Sequence, residues 1–327
     1  MQSAKWKRAA ANSFDITRRE LVAGGVVAGA AVIVGRRSMA ADDDARQAAI
    51  GLGFSLYGMR SLDAKQALAA CAEIGYDCVE LPVMADWPWD SAALSGEARK
   101  RLRGELDSSG LRLSALMENL PAAVDDARHR RNLDRLKSAA ELAHALAPGR
   151  AAVIETVLGG RPQQWEELRE TMAGRVADWA KVAEAAETVI AVKAHVGGAM
   201  HLPEHPVWLV ERIGSRHLQA AYDYSHFALR GVDMAASVRT LIPHSVFVHV
   251  KDGRGESGKF EFLLPGQGDT DYPALLKQIA AAGYAGDIVV EVSGQIHGQP
   301  DYEPKQAARM CYKPLAKAFD EAGIVRR

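Results

Sequence analysis

The chain has 327 residues, of which 48% are hydrophobic, 25% charged and 6% aromatic, and its formal net charge is −1. These values describe a globular chain and exclude a largely disordered one or a polytopic membrane protein. A near-zero charge also argues against a general nucleic-acid binder, which carries a basic excess.

The charge is unevenly spread: residues 1–40 are net +5 and the remainder net −6. Thr17-Arg18-Arg19-Glu20-Leu21 opens an uncharged run of 14 residues, Leu21 to Val34. That is short of the roughly 20 residues a membrane-spanning helix needs, and it has the length of a signal-peptide core. Ser38-Met39-Ala40 supplies small residues for cleavage. The paired arginines resemble the twin-arginine export signal of bacteria. Residues 1–40 are therefore expected to be a signal peptide that engages the export machinery and sends the folded protein to the periplasm. Cys71, Cys78 and Cys311 form no CxxC motif. A Cys71–Cys311 bridge is open in an oxidising compartment, but buried free thiols are the favoured reading.

From Ala49 onward, short apolar runs alternate with amphipathic ones. Strands are expected at 50–57, 77–81, 112–117, 151–156, 189–195, 218–223, 245–251 and 287–292. Helices are expected at 63–74, 97–108, 126–146, 163–187, 206–213, 234–241, 273–282 and 304–322. Gly75, Gly110, Gly214 and Gly283 supply helix stops. Eight strand–helix units in 49–325, with no break in composition, predict one α/β domain: an eight-stranded parallel (β/α)8 TIM barrel. The rival, a doubly wound open sheet, lacks its glycine-rich turn after the first strand.

A barrel of this kind places its active site at the carboxyl ends of the strands. The residues there are Tyr57 and Arg60, Glu80, Glu118 and Asn119, Glu155, Lys193 and His195, Asp223 and His226, His249 with Lys251 and Asp252, and Glu291. A structural core needs no ionisable groups there, and uncompensated burial would be costly. Carboxylates converging on one small space repel, and one divalent cation would relieve them; the carboxylate and imidazole set suits Mn²⁺, Mg²⁺, Co²⁺ or Zn²⁺.

Asp223-Tyr-Ser-His226, Phe247-Val-His249-Val-Lys251-Asp252 and Val289-Val-Glu291-Val, taken in order, resemble the xylose isomerase-like barrel superfamily, the sugar phosphate isomerase/epimerase group. The resemblance implies that Asp223, His249 and Glu291 are metal ligands and His226 a substrate group. Epimerases of the group carry a glutamate at the end of strand five, as ligand and proton-transfer base; here Lys193 stands in its place. A protonated lysine cannot ligate a cation, so the fourth ligand is expected to be Glu155, with His195 as second choice.

The expected catalytic residues are Lys193, His195 and Glu291; the expected substrate contacts are His226, Lys251, Tyr57 and Glu118. Lys193 reads either as an activated base or enolate clamp, or as the salt-bridge partner of Glu155. The Trp87–Trp89 loop reads as a sugar-stacking surface or a packed lid, and 253–258 as a mobile loop. The expected activity is metal-dependent isomerisation or epimerisation of a sugar or polyol through an enediolate. Elimination on a keto sugar or keto glycoside and non-catalytic periplasmic sugar binding are the alternatives. No nucleic-acid partner is expected, and a homo-oligomer stays open.

Overall fold

A computed structural model describes residues 49–327; the expected signal peptide lies outside the described residues. Ten strands occur in chain order: β1 (Gly51–Ser55), β2 (Cys78–Pro82), β3 (Arg112–Met117), β4 (Val153–Val157), β5 (Ile190–Lys193), β6 (Leu218–Asp223), β7 (Ser245–Val250), β8 (Asp252–Glu256), β9 (Lys259–Leu263) and β10 (Asp287–Val290). Eight of them close into a parallel barrel in the order β1-β10-β7-β6-β5-β4-β3-β2, as the alternation predicts. The remaining two, β8 and β9, form an antiparallel hairpin where a mobile loop was expected.

Local chemistry sets the element ends. Asp63 accepts from the Gln66 N–H to begin the helix Ala64–Ile74, and Gly75 ends it at φ 103°, a left-handed conformation that favours glycine. Gly110 and Gly214 end their helices in the same way. Cys71, Cys78 and Cys311 are buried free thiols. Among the described residues, no helix is long and apolar enough to cross a membrane.

The barrel interior positions the site. Side chains of a strand alternate between its two faces. Cys78, Ala115, Ala191, Ala221, Phe247 and Val289 point inward and form an apolar plug. Two residues further along β2, β5, β6 and β7, and at the end of β10, the same face carries Glu80, Lys193, Asp223, His249 and Glu291; β4 adds Glu155 two residues beyond the plug-packed Val153. A charged layer thus lies on a dry floor at the carboxyl ends of the strands.

Candidate active site

The layer is buried: Glu80, Glu155 and His249 are 0% exposed, and Asp223, Lys193 and Lys251 are 3% or less. Lys193 is at its centre. Its ammonium donates to His249 Nδ1 at 2.7 Å and to Glu291 Oε2 at 3.1 Å, and lies 3.1 Å from Glu155 Oε1. Lys251 donates to Asp223 Oδ2 and, at 2.7 Å, to Glu291 Oε2. Three carboxylates, Glu155, Glu291 and Asp223, therefore face two ammoniums. Because Lys193 can only donate, His249 accepts at Nδ1 and carries its proton on Nε2, which donates to Glu80 Oε2 at 2.9 Å.

These contacts fix the charges. Burial alone would lower the Lys193 pKa, but Glu155, Glu291 and Asp223 outweigh it and hold the pKa above the ordinary lysine value. The activated-base reading needs the opposite shift, so Lys193 is a fixed cation here. Burial would raise the Glu291 pKa, but Lys193, Lys251 and His249 hold it well below the usual carboxylate range. Burial pushes Glu155 upward despite Lys193.

The short helix Tyr224–Ala228 brings in the imidazole of the Asp-x-x-His motif. Asp223 Oδ1 caps it by accepting from the Ser225 N–H at 3.1 Å and the Ser225 hydroxyl at 2.6 Å. His226 Nδ1 accepts from the Val196 N–H at 3.3 Å, so Nε2 bears the proton; it has no hydrogen-bond partner among the described residues. His195 Nδ1 likewise accepts from the Gly197 N–H, at 3.1 Å, which leaves Nε2–H free to donate. Burial, helped by Lys251, holds His195 down to about 4 and His226 well below 6.5. Both are neutral donors at pH 7.

That has a consequence for stability. The folded His195 refuses a proton that the unfolded chain accepts, between its ordinary value of 6.5 and about 4. Its contribution is complete above pH 6.5 and lost as the pH falls through that window, on the order of 3 kcal/mol. The thermal unfolding midpoint is expected to drop steadily from pH 6.5 to 4. A flat profile by calorimetry would contradict the buried neutral imidazoles.

Above the layer lies a cavity of about 290 Å³, lined by Tyr57, Asn119, Lys193, His195, His226, Lys251, Phe260, Phe262 and Glu291 among others. Among the described residues, Glu291 is the only carboxylate lining it, with 14% of the side chain exposed. Of the expected substrate contacts, Tyr57, His226 and Lys251 reach this wall. Glu118 does not. It is one residue beyond the inward-facing Met117, and Arg135 takes both its oxygens, at 3.0 and 2.7 Å. Asn119 lines the wall instead. Glu80, named at a strand end but expected in no catalytic, substrate or metal role, joins the charged layer; its signal is a carboxylate inside the otherwise apolar Cys-Val-Glu-Leu-Pro strand. Phe260 and Phe262 come from the unexpected hairpin. Trp89 is buried, and Trp87 is stacked on Tyr57 at 4.9 Å with Arg60 4.6 Å from its ring centroid. Trp87 is thus packed against Tyr57 and Arg60, and neither tryptophan lines the cavity. A second depression, of about 390 Å³, opens at the amino-terminal end of the strands, where Arg112 and Asp287 satisfy each other at 2.9 and 3.0 Å.

The described residues include two groups with metal-ligand spacing, Glu80–Glu155–His249 and Asp223–His249–Glu291, each with ligand atoms within 4.8 Å of one another. The donors do not fit an ion as they are arranged. His249 uses Nε2 on Glu80 and faces the Lys193 ammonium with Nδ1; Glu291 bears both ammoniums; Asp223 is held by Lys251 and Ser225.

Residues 68–313 match the model of the xylose isomerase-like TIM barrel family, and the chain belongs to that family. A rhizopine catabolism protein of Rhizobium meliloti is 27% identical over 196 residues, 54% of this chain and 58% of the relative, so the match spans little more than half of that protein's length. Solved structures of the same fold include the zinc-bound IOLI protein, at TM-score 0.68 and 19% identity over 84% of this chain and 98% of that one. They also include the 3-keto-D-glucoside 4-epimerase of E. coli, at TM-score 0.66 and 15% identity over 82% and 99%.

Proposed function

We propose that the protein is an enzyme that moves or removes a proton next to a carbonyl in a small carbohydrate or polyol. The observation that carries this is one carboxylate, Glu291, facing a sugar-sized cavity beside two fixed ammoniums and two neutral imidazole donors. The 3-keto-D-glucoside 4-epimerase, together with solved structures titled L-ribulose 3-epimerase and D-psicose 3-epimerase, supports the substrate class. A keto sugar seated here sets its carbonyl oxygen toward Lys193, Lys251 and the Nε2–H groups of His195 and His226. These stabilise the negative charge of the enediolate as it develops. Glu291 accepts the proton from the adjacent carbon. Phe260 and Phe262 offer an apolar wall to the C–H face of the sugar and exclude water. Return of the proton to the other face or the neighbouring carbon gives epimerisation or isomerisation. Loss of a β-substituent from the same enediolate gives elimination, the second reading, which the absence of a second cavity-facing carboxylate favours. A metal-dependent form of this chemistry would need an ion among Glu155, Asp223, His249 and Glu291, where the two lysines bind, and no step here is routed through one. The work is proposed to take place in the periplasm after twin-arginine export.

The test is to incubate the protein with a panel of ketoses and 3-keto glycosides in D₂O and follow the substrate by NMR. Deuterium entering at the carbon beside the carbonyl, with or without loss of a substituent, is expected. Calorimetric sugar binding with no exchange over hours would make the protein a binding barrel instead.

A further inference from the structure

We propose that the Lys193 ammonium is the resident cation of this barrel, occupying by covalent attachment the place a divalent ion would take among Asp223, His249 and Glu291. This deepens the proposed function, on which it rests only for the substrate. Its primary test needs no substrate.

Lys193 is within 3.1 Å of His249 Nδ1, Glu291 Oε2 and Glu155 Oε1 at once. These atoms belong to both candidate ligand groups, which share His249. An ion bound to either group would have to displace this ammonium from its acceptors, or stand against it within a few ångströms in a buried site. At that separation a dication and an ammonium repel strongly, even at an effective dielectric constant of about 20. Lys251 adds a second positive charge on Asp223 and Glu291. The lysine side chain is 3% exposed, with the apolar plug beneath it and its acceptors around its ammonium. His249 offers its Nδ1 lone pair to the ammonium, with its Nε2–H committed to Glu80. A tethered cation has two consequences: the site keeps its charge at any ambient metal level, and chelators cannot strip it.

The experiment compares the full-length chain with Lys193→Glu and Lys193→Met. Each is purified from manganese- and zinc-supplemented medium, passed through gel filtration and assayed for bound metal by plasma mass spectrometry. Affinity is then read by Mn²⁺ titration. The wild type is expected to hold well under one ion per chain and to show no change in melting temperature between Mn²⁺ and EDTA. Lys193→Glu removes the occupant and adds a carboxylate beside His249 Nδ1, so it is expected to hold about one ion per chain and to bind Mn²⁺ at least about tenfold more tightly. Lys193→Met opens the three-ligand group without a new charge and is expected to gain less; it decides the matter if the glutamate variant does not fold. A stoichiometric ion in the wild type, lost on Asp223→Asn, would overturn the proposal, as would folded variants with no gain in metal binding. Deuterium exchange that fails in every form while the metal results hold would count against the proposed function alone.

Discussion

Glu291→Gln is expected to lower turnover about 10²–10⁴-fold while leaving the barrel folded. Among the described residues, Glu291 is the only carboxylate lining the cavity, so it is the side chain there placed to take up the proton. The amide keeps the shape of the side chain but cannot accept a proton at pH 7. The fold is expected to survive because each lysine keeps a second carboxylate: Glu155 for Lys193 and Asp223 for Lys251. The measurements are deuterium incorporation for the chemical step, calorimetric binding for the substrate and circular dichroism for the fold. A variant that exchanges deuterium at the wild-type rate would remove Glu291 from the mechanism. One that loses binding and exchange together would make it a substrate anchor.

The largest effect on stability is expected at Arg135. This guanidinium, on the helix Asp126–Leu146, joins three segments. It donates to both oxygens of Glu118, to Asp90 Oδ1 at 2.9 Å and to the Val83 carbonyl at 2.6 Å. The Glu118 side chain is only 2% exposed. Burial raises the Glu118 pKa and Arg135 opposes that rise. Arg135→Leu strands a buried carboxylate and is expected to cost about 3–5 kcal/mol, which lowers the melting temperature by roughly 6–20 °C in a domain of this size. Adding Glu118→Gln should return part of that loss, because the stranded charge is gone. No recovery in the double variant, with the single loss intact, would mean that packing rather than charge dominates.

The barrel was legible because its signals are local and periodic. Eight apolar runs, each followed by a helix and four of those helices closed by a glycine stop, point to a closed parallel sheet. Most of the site was legible for the same reason: alternation along each strand carries the inward face from plug residues to Glu155, Lys193, Asp223, His249 and Glu291. Position at a strand end was not enough for Glu118, where one step of alternation turns the side chain outward to Arg135. The roles of the charges were hidden as well. Whether Lys193 meets a metal's ligands or replaces the metal depends on distances between strands far apart in sequence, such as the 98 residues separating it from Glu291. The hairpin was missed because its turn, Arg-Gly-Glu-Ser-Gly-Lys, has the composition of a loop, and its inward aromatics are only Phe260 and Phe262.

That hairpin separates the rim of the cavity from its charged floor. It is fastened by one apolar knot of Val196, Leu229 and Phe262 and by the bond from the Phe262 N–H to Gln295 Oε1 at 2.8 Å, while its outer residues, Arg254 to Lys259, touch none of the buried charges. Substitutions at these six outer residues can therefore reshape the rim of the doorway while the reactive machinery below keeps its contacts.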